Sequence, residues 1–278
     1  MRSMGARLHG PTWASGFGLL MWCGMTTALL NLRPAGTALV QHVQALGLTV
    51  GLALATLGWV LARRSPVDPL RQTAGRPMRP VGRAAAGGAM LSGLALLTLL
   101  AGAAQGRNAG LLVALALVLL VLAFAAMALV AGREATALSR PLRLPIGVLF
   151  SMSLGLALLY LGMDRLLAAG HDGRLMLATL FGLGVALAAC QALDWHGVPS
   201  APPDGRRRRQ QVALVALLVG APALCWLLAG TGLLPAAVWL VLVFVCVLAA
   251  AVIDAMLLEC PPAGPGTATG APSTTAST

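Results

Sequence analysis

Long apolar runs, separated by short stretches of arginine, proline and glycine, organise this chain. Cutting it at its charges and turn residues leaves candidate spans at residues 11–32, 39–62, 84–105, 110–132, 144–163 and 175–194. Between residues 211 and 253 there is no charge at all, a stretch too long for one crossing. Gly230, Gly232 and Pro235 supply a break within it, which makes a seventh and an eighth span. A helix needs about 20 apolar residues to cross a hydrocarbon core about 30 Å thick. The pattern therefore predicts an all-α integral membrane protein with about eight transmembrane helices.

Composition agrees. Of the 278 residues, 58% are hydrophobic and only 10% charged, and mean hydropathy is +0.86. Soluble domains carry about a quarter charged residues, so soluble enzymes, nucleic-acid readers and disordered polymers are disfavoured together. The net charge of +11 comes from 19 arginines, with no lysine, against eight acidic residues. A strongly basic chain often binds nucleic acid. Here the arginines stand in connections between apolar runs, where they set topology and meet anionic lipid headgroups. The expected partner is the bilayer, with no nucleic acid.

The arginines also orient the spans. With the amino terminus inside, cytoplasmic segments hold Arg2, Arg7, Arg63, Arg64, Arg71, Arg76, Arg79, Arg83, Arg133, Arg140, Arg143 and Arg206 to Arg209, fifteen in all. The outer loops hold four: Arg33, Arg107, Arg165 and Arg174. This alternation follows the positive-inside rule and predicts a multi-pass protein of the bacterial inner membrane with both termini cytoplasmic. The first run is long for a signal-peptide core, and Asn31-Leu32-Arg33-Pro34 is a poor cleavage site, so a retained first helix is expected. Trp59, Tyr160, Trp195 and Trp239 fall near span ends, as an interfacial belt would place them. Trp22 and Trp226 fall mid-span and are expected to pack inside.

Helices in lipid associate through close backbone approach at small residues. Gly47, Gly51 and Ala55 form such a stripe on the second helix; shorter ones are Gly88 with Ser92, Ser151 with Gly155, and Gly184 with Ala188. Residues 95–102 and 223–230 share an Ala-Leu and Leu-Leu-Ala-Gly pattern at an offset of 128. That offset suggests two parallel four-helix bundles, residues 1–132 and 133–259. Residues 260–278, rich in Pro, Gly, Ala, Ser and Thr without charge, read as a disordered cytoplasmic tail.

Few polar groups enter the spans, and each that does is a functional candidate. Asn31 and Arg33 end the first helix, and Gln41, His42 and Gln44 open the second. Amides, an imidazole and a guanidinium beside an apolar groove suit a quinone headgroup or another amphipathic ligand; the competing reading is that they cap helix ends and meet water. Haem b would need a second histidine at the depth of His42, and His9, His171 and His196 lie elsewhere. Asp254, about a turn inside the end of the eighth helix, reads either as a proton or cation relay or as an interfacial acid pairing with an arginine. Asp194-Trp195-His196 reads as an interfacial anchor. Arg63, Arg64, Arg71, Arg76, Arg79 and Arg83, in a connection with four prolines, form the best surface for docking a soluble cytoplasmic subunit.

Other chemistries have no motif here. The five cysteines are scattered without a C-x-x-C pair. There is no phosphate-cradling loop, H-E-x-x-H or nucleophile elbow, so no catalytic residue, metal site or bound cofactor beyond quinone is expected. Eight helices in two bundles is an architecture shared with membrane subunits of molybdopterin oxidoreductases, an analogy of shape alone. The expected function is a non-catalytic membrane anchor subunit of a larger, quinone-linked redox complex. The alternatives are a small permease or exporter for an apolar or amphipathic solute, and a membrane sensor or assembly factor.

Overall fold

The computed structural model describes residues 4–31, 38–64, 80–102, 109–137, 140–167, 173–196 and 205–259. Its elements are helices: α1 (Met4–Asn31), α2 (Ala38–Arg64), α3 (Pro80–Ala101), α4 (Ala109–Ala137), α5 (Arg143–Leu167), α6 (Gly173–His196), α7 (Gly205–Ala229) and α8 (Ala236–Glu259). All eight are long and apolar enough to cross a membrane. The chain is an all-α polytopic membrane protein, as its hydropathy pattern predicts. Most helix ends lie a few residues outside the predicted spans, because polar residues at a span end continue the same hydrogen-bonded spiral. Pro11, for example, lies inside α1 rather than at its start. By contrast, α3 ends at Ala101, four residues short of its predicted end. Between α7 and α8 the break falls where expected, and Gly232 adopts a left-handed backbone with φ 69° that a side chain would disfavour.

Small residues decide how the helices meet. Along the antiparallel α1–α2 contact, Trp13 lies against Gly58, Gly16 against Ala55, Leu20 against Gly51 and Cys23 against Gly47. The Gly47, Gly51, Ala55 stripe is thus the α1 docking face. On its other side α1 meets α5 still more closely: a Cβ on Gly18 would strike the Ser151 carbonyl, and one on Gly155 would strike the backbone of Gly18 and Leu19. The Trp22 indole donates across the same contact to the Met152 carbonyl at 3.0 Å. Gly88 faces Leu122 of α4.

Two helices form the centre. The α1 span is 61% buried and the α5 span 56%, against 22–39% for the rest, and α7 packs at the edge, against α6 and α8. One continuous apolar core runs from Phe17, Leu20 and Leu48 through Leu96, Leu119 and Leu154 to Leu187, Leu218 and Leu240. It joins helices from both halves of the chain.

α7 changes its winding. Residues Ala216–Gly220 form a π turn, with the Ala221 N–H bonding the Ala216 carbonyl. The cause is Pro222, which has no N–H to give the Leu218 carbonyl and whose ring crowds it. That carbonyl lies against α6 at Gly184, where a Cβ would collide with it. Gly184 and Pro222 therefore act as a pair.

Candidate functional site

The strongest polar arrangement is an ionic cluster at one end of the bundle, where α5 begins and α6 and α8 end. Pro141 and Leu142 lead into α5 through a turn whose Arg140 carbonyl accepts the Arg143 N–H at 3.2 Å. Pro145, in the first turn, suits a helix start because no intrahelical partner exists for its missing N–H. The turn sets the Arg143 side chain inward, where it is 2% exposed.

Two carboxylates meet it. Arg143 Nη2 and Nε donate to Asp194 Oδ2 at 2.7 and 3.0 Å. Its Nη1 donates to Asp254 Oδ1 and Oδ2 at 2.8 and 3.0 Å. Gln191, about a turn below Asp194 on α6, donates its amide to Asp254 Oδ1 at 2.9 Å. Arg140, half-buried, reaches Asp194 Oδ2 at 3.4 Å. Two guanidiniums face two carboxylates, so the cluster is electrically neutral while tying three helices together.

Neutrality matters because isolating one ion from water costs several kcal/mol after relaxation. Short, charge-assisted hydrogen bonds offset that cost only when the lone pairs and protons are matched. Here one acceptor is left over: the Gln191 Oε1 is buried without a partner.

The sequence expectations meet this geometry unevenly. Asp254 is paired with an arginine and held by Gln191. Asp194, expected as an interfacial anchor, instead points inward, because α5 brings Arg143 alongside it. By sequence alone Arg143 reads only as a loop charge. One signal was available: an arginine opens one span while single acids close two others. Nothing in the sequence says that those three helices are neighbours. Trp239, expected in the interfacial belt, is only 7% exposed and packs in the core. Trp59 is half exposed, with the Arg63 guanidinium 3.6 Å over its ring.

The opposite end holds a second, smaller arrangement. Four of the five residues proposed there are described, and they take different positions. The Asn31 amide donates to the Thr27 carbonyl at 2.8 Å and caps its own helix. His42 is exposed, Gln41 half-buried and Gln44 buried; Arg33 lies outside the described residues. What the sequence did not suggest is Thr27. The α1–α2 register (Leu20 to Gly51, Cys23 to Gly47) puts Thr27 opposite Gln44, and the Thr27 Oγ1 and Gln44 Nε2 are both buried with no hydrogen-bond partner. Two unpaired polar groups in one layer are uncommon in a native structure.

Of the docking arginines, Arg63 and Arg83 are exposed. Arg71, Arg76 and Arg79, and the side chain of Arg64, lie outside the described residues, as does the 260–278 tail. Among the described residues, no three His, Cys, Asp or Glu side chains gather as metal ligands. Comparison of this chain with protein-family models, with curated proteins and with solved structures returned no match.

Proposed function

We propose that the protein is a non-catalytic membrane anchor subunit of a larger assembly, docked at the end of the bundle that carries its arginine-rich connections. The observation that carries this reading is the packing at mid-depth. Leu20, Leu119 and Leu154, each near the middle of its span, are fully buried, and the buried polar side chains at that level among the described residues are the hydroxyls of Ser92, Ser151 and Ser153, while the ionic cluster and the Thr27–Gln44 layer stand at the two ends. A permease needs groups at mid-depth to replace a solute's hydration. Among the described residues, the carboxylates of the ionic cluster have no counterparts leading across mid-depth, which also speaks against Asp254 as a relay.

The test is extraction of the full chain from its native membrane in mild detergent, followed by native electrophoresis. A stoichiometric complex much heavier than the 28.3 kDa chain is expected. Migration as the chain alone, together with solute uptake into proteoliposomes, would favour the permease.

A quinone-type ligand at the other end is favoured by a separate observation, the two unpaired buried groups. The Gln44 amide and Thr27 hydroxyl can both donate to a carbonyl oxygen, and their surroundings are apolar. Adding ubiquinone to the purified protein should raise its unfolding midpoint. In Thr27→Val/Gln44→Leu that rise should vanish. An equal rise in the variant would remove the ligand from this layer.

A further inference from the structure

Beside the ionic cluster, on the outer wall of the bundle, a groove of about 540 Å³ runs between the end of α6 and α7. Its volume falls within the range of about 300–1,000 Å³ common for small-molecule sites. Trp195, Arg208 and Gln211 form the mouth; Val212, Val215, Ala216, Val219 and Gly220 form the rest. The polar residues thus stand at one end and the apolar ones continue along α7. From Arg208 to Gly220 is 12 residues, about 18 Å at 1.5 Å per residue. One leaflet of a hydrocarbon core about 30 Å thick measures about 15 Å. The groove therefore matches one leaflet in depth and in the order of its chemistry.

Charge sets the occupant. Arg206, Arg207, Arg208 and Arg209 crowd the first turn of α7, which holds no acidic residue. Among the described residues no carboxylate pairs with any of them, whereas Arg140 and Arg143, at the start of α5, are paired. Arg208 at the mouth of an apolar trough, with three more guanidiniums in the same helical turn raising the local positive potential, calls for an anion with an acyl chain. The deep end is also open: a Cβ added at Gly220 would meet nothing within 4 Å. The π turn at Ala216–Gly220 forms this part of the wall, so Pro222, which forces that turn, shapes the trough as well.

We propose that this groove is a binding site for one anionic phospholipid, its headgroup phosphate held by Arg208 with Gln211 and its acyl chain laid along Val212, Val215, Val219 and Gly220 toward mid-depth. The site does not depend on the anchor reading and would serve a transporter equally.

The full-length protein in detergent, exposed to phosphatidylglycerol or phosphatidylcholine and examined by native mass spectrometry, tests it. One phosphatidylglycerol should be retained and phosphatidylcholine should not. Arg208→Gln should weaken retention about fivefold, the factor equivalent to about 1 kcal/mol for one arginine near a lipid surface. Gly220→Leu, whose Cβ meets nothing within 4 Å, occupies the deep end and should weaken retention similarly without lowering the unfolding midpoint in lipid-free detergent. Inorganic phosphate at the same concentration should not displace the lipid. Retention of both lipids alike, or of phosphatidylglycerol undiminished in both variants, would overturn the proposal. Displacement by phosphate would mean an anion site without a lipid.

Discussion

Asp254→Asn probes the ionic cluster most directly. Asparagine keeps the shape of the side chain and removes its charge. Two guanidiniums then share the single carboxylate of Asp194, and a buried positive charge is left uncompensated. Breaking a buried ion pair in this way costs about 3–5 kcal/mol. The Asp254 side chain is 11% exposed, against 2% for Arg143, so some water can reach its side of the cluster and the lower figure, about 3 kcal/mol, applies. At about 2–4 °C per kcal/mol for a chain of this size, the unfolding midpoint should fall by about 6–12 °C. The protein carries its own reporter. Cys23 and Cys225 are buried free thiols, so a thiol-reactive fluorophore brightens as the bundle opens. A companion variant removes the central charges together: Arg143→Met with Asp194→Asn and Asp254→Asn. Apolar or neutral replacement of a whole buried pair is often neutral or stabilising, and Arg140 is exposed enough to turn to water. Most of the lost stability should therefore return. A midpoint within about 1 °C of the parent for Asp254→Asn would refute the reasoning, as would a triple variant no more stable than the sum of its single changes.

The close α1–α5 approach predicts that Gly18→Ala, which drives a Cβ into the Ser151 carbonyl, costs about 1–3 kcal/mol. Gly87→Ala, where a Cβ meets nothing within 4 Å, should be neutral or stabilise by up to about 1 kcal/mol. Equal midpoints for the two variants would show that the helices do not approach as described. Gly184→Ala should also destabilise, and Pro222→Ala should relieve part of that loss, since the restored N–H draws the Leu218 carbonyl back toward its own helix. No recovery in the double variant would uncouple the two. In a cysteine-free background, a cysteine at Arg76 should be labelled only from the cytoplasmic side. Labelling from the periplasm would invert the orientation expected from the arginines.

Much of the fold could be read in the sequence because a bilayer makes local demands. Each crossing must satisfy its backbone within its own helix, so the length and ends of every span follow from neighbouring residues alone. The break at Gly230 to Pro235 and the docking stripe at Gly47, Gly51 and Ala55 were legible for this reason. Which face a span turns inward was less so. Trp239 looks interfacial by position and is buried, and Asp194 looks like a surface anchor and is not.

Partnership between helices was decided only in three dimensions. Leucine-rich helices have many near-equivalent faces, and lipid does not discriminate among them, so the choice falls to a few glycines and polar groups whose partners lie far along the chain. Arg143 is 51 residues from Asp194 and 111 from Asp254; no periodicity links them. Thr27 and Gln44 came together through the register of α1 on α2, and the lipid-facing groove through one proline. Local hydropathy specified eight crossings, and long-range packing specified what those crossings enclose.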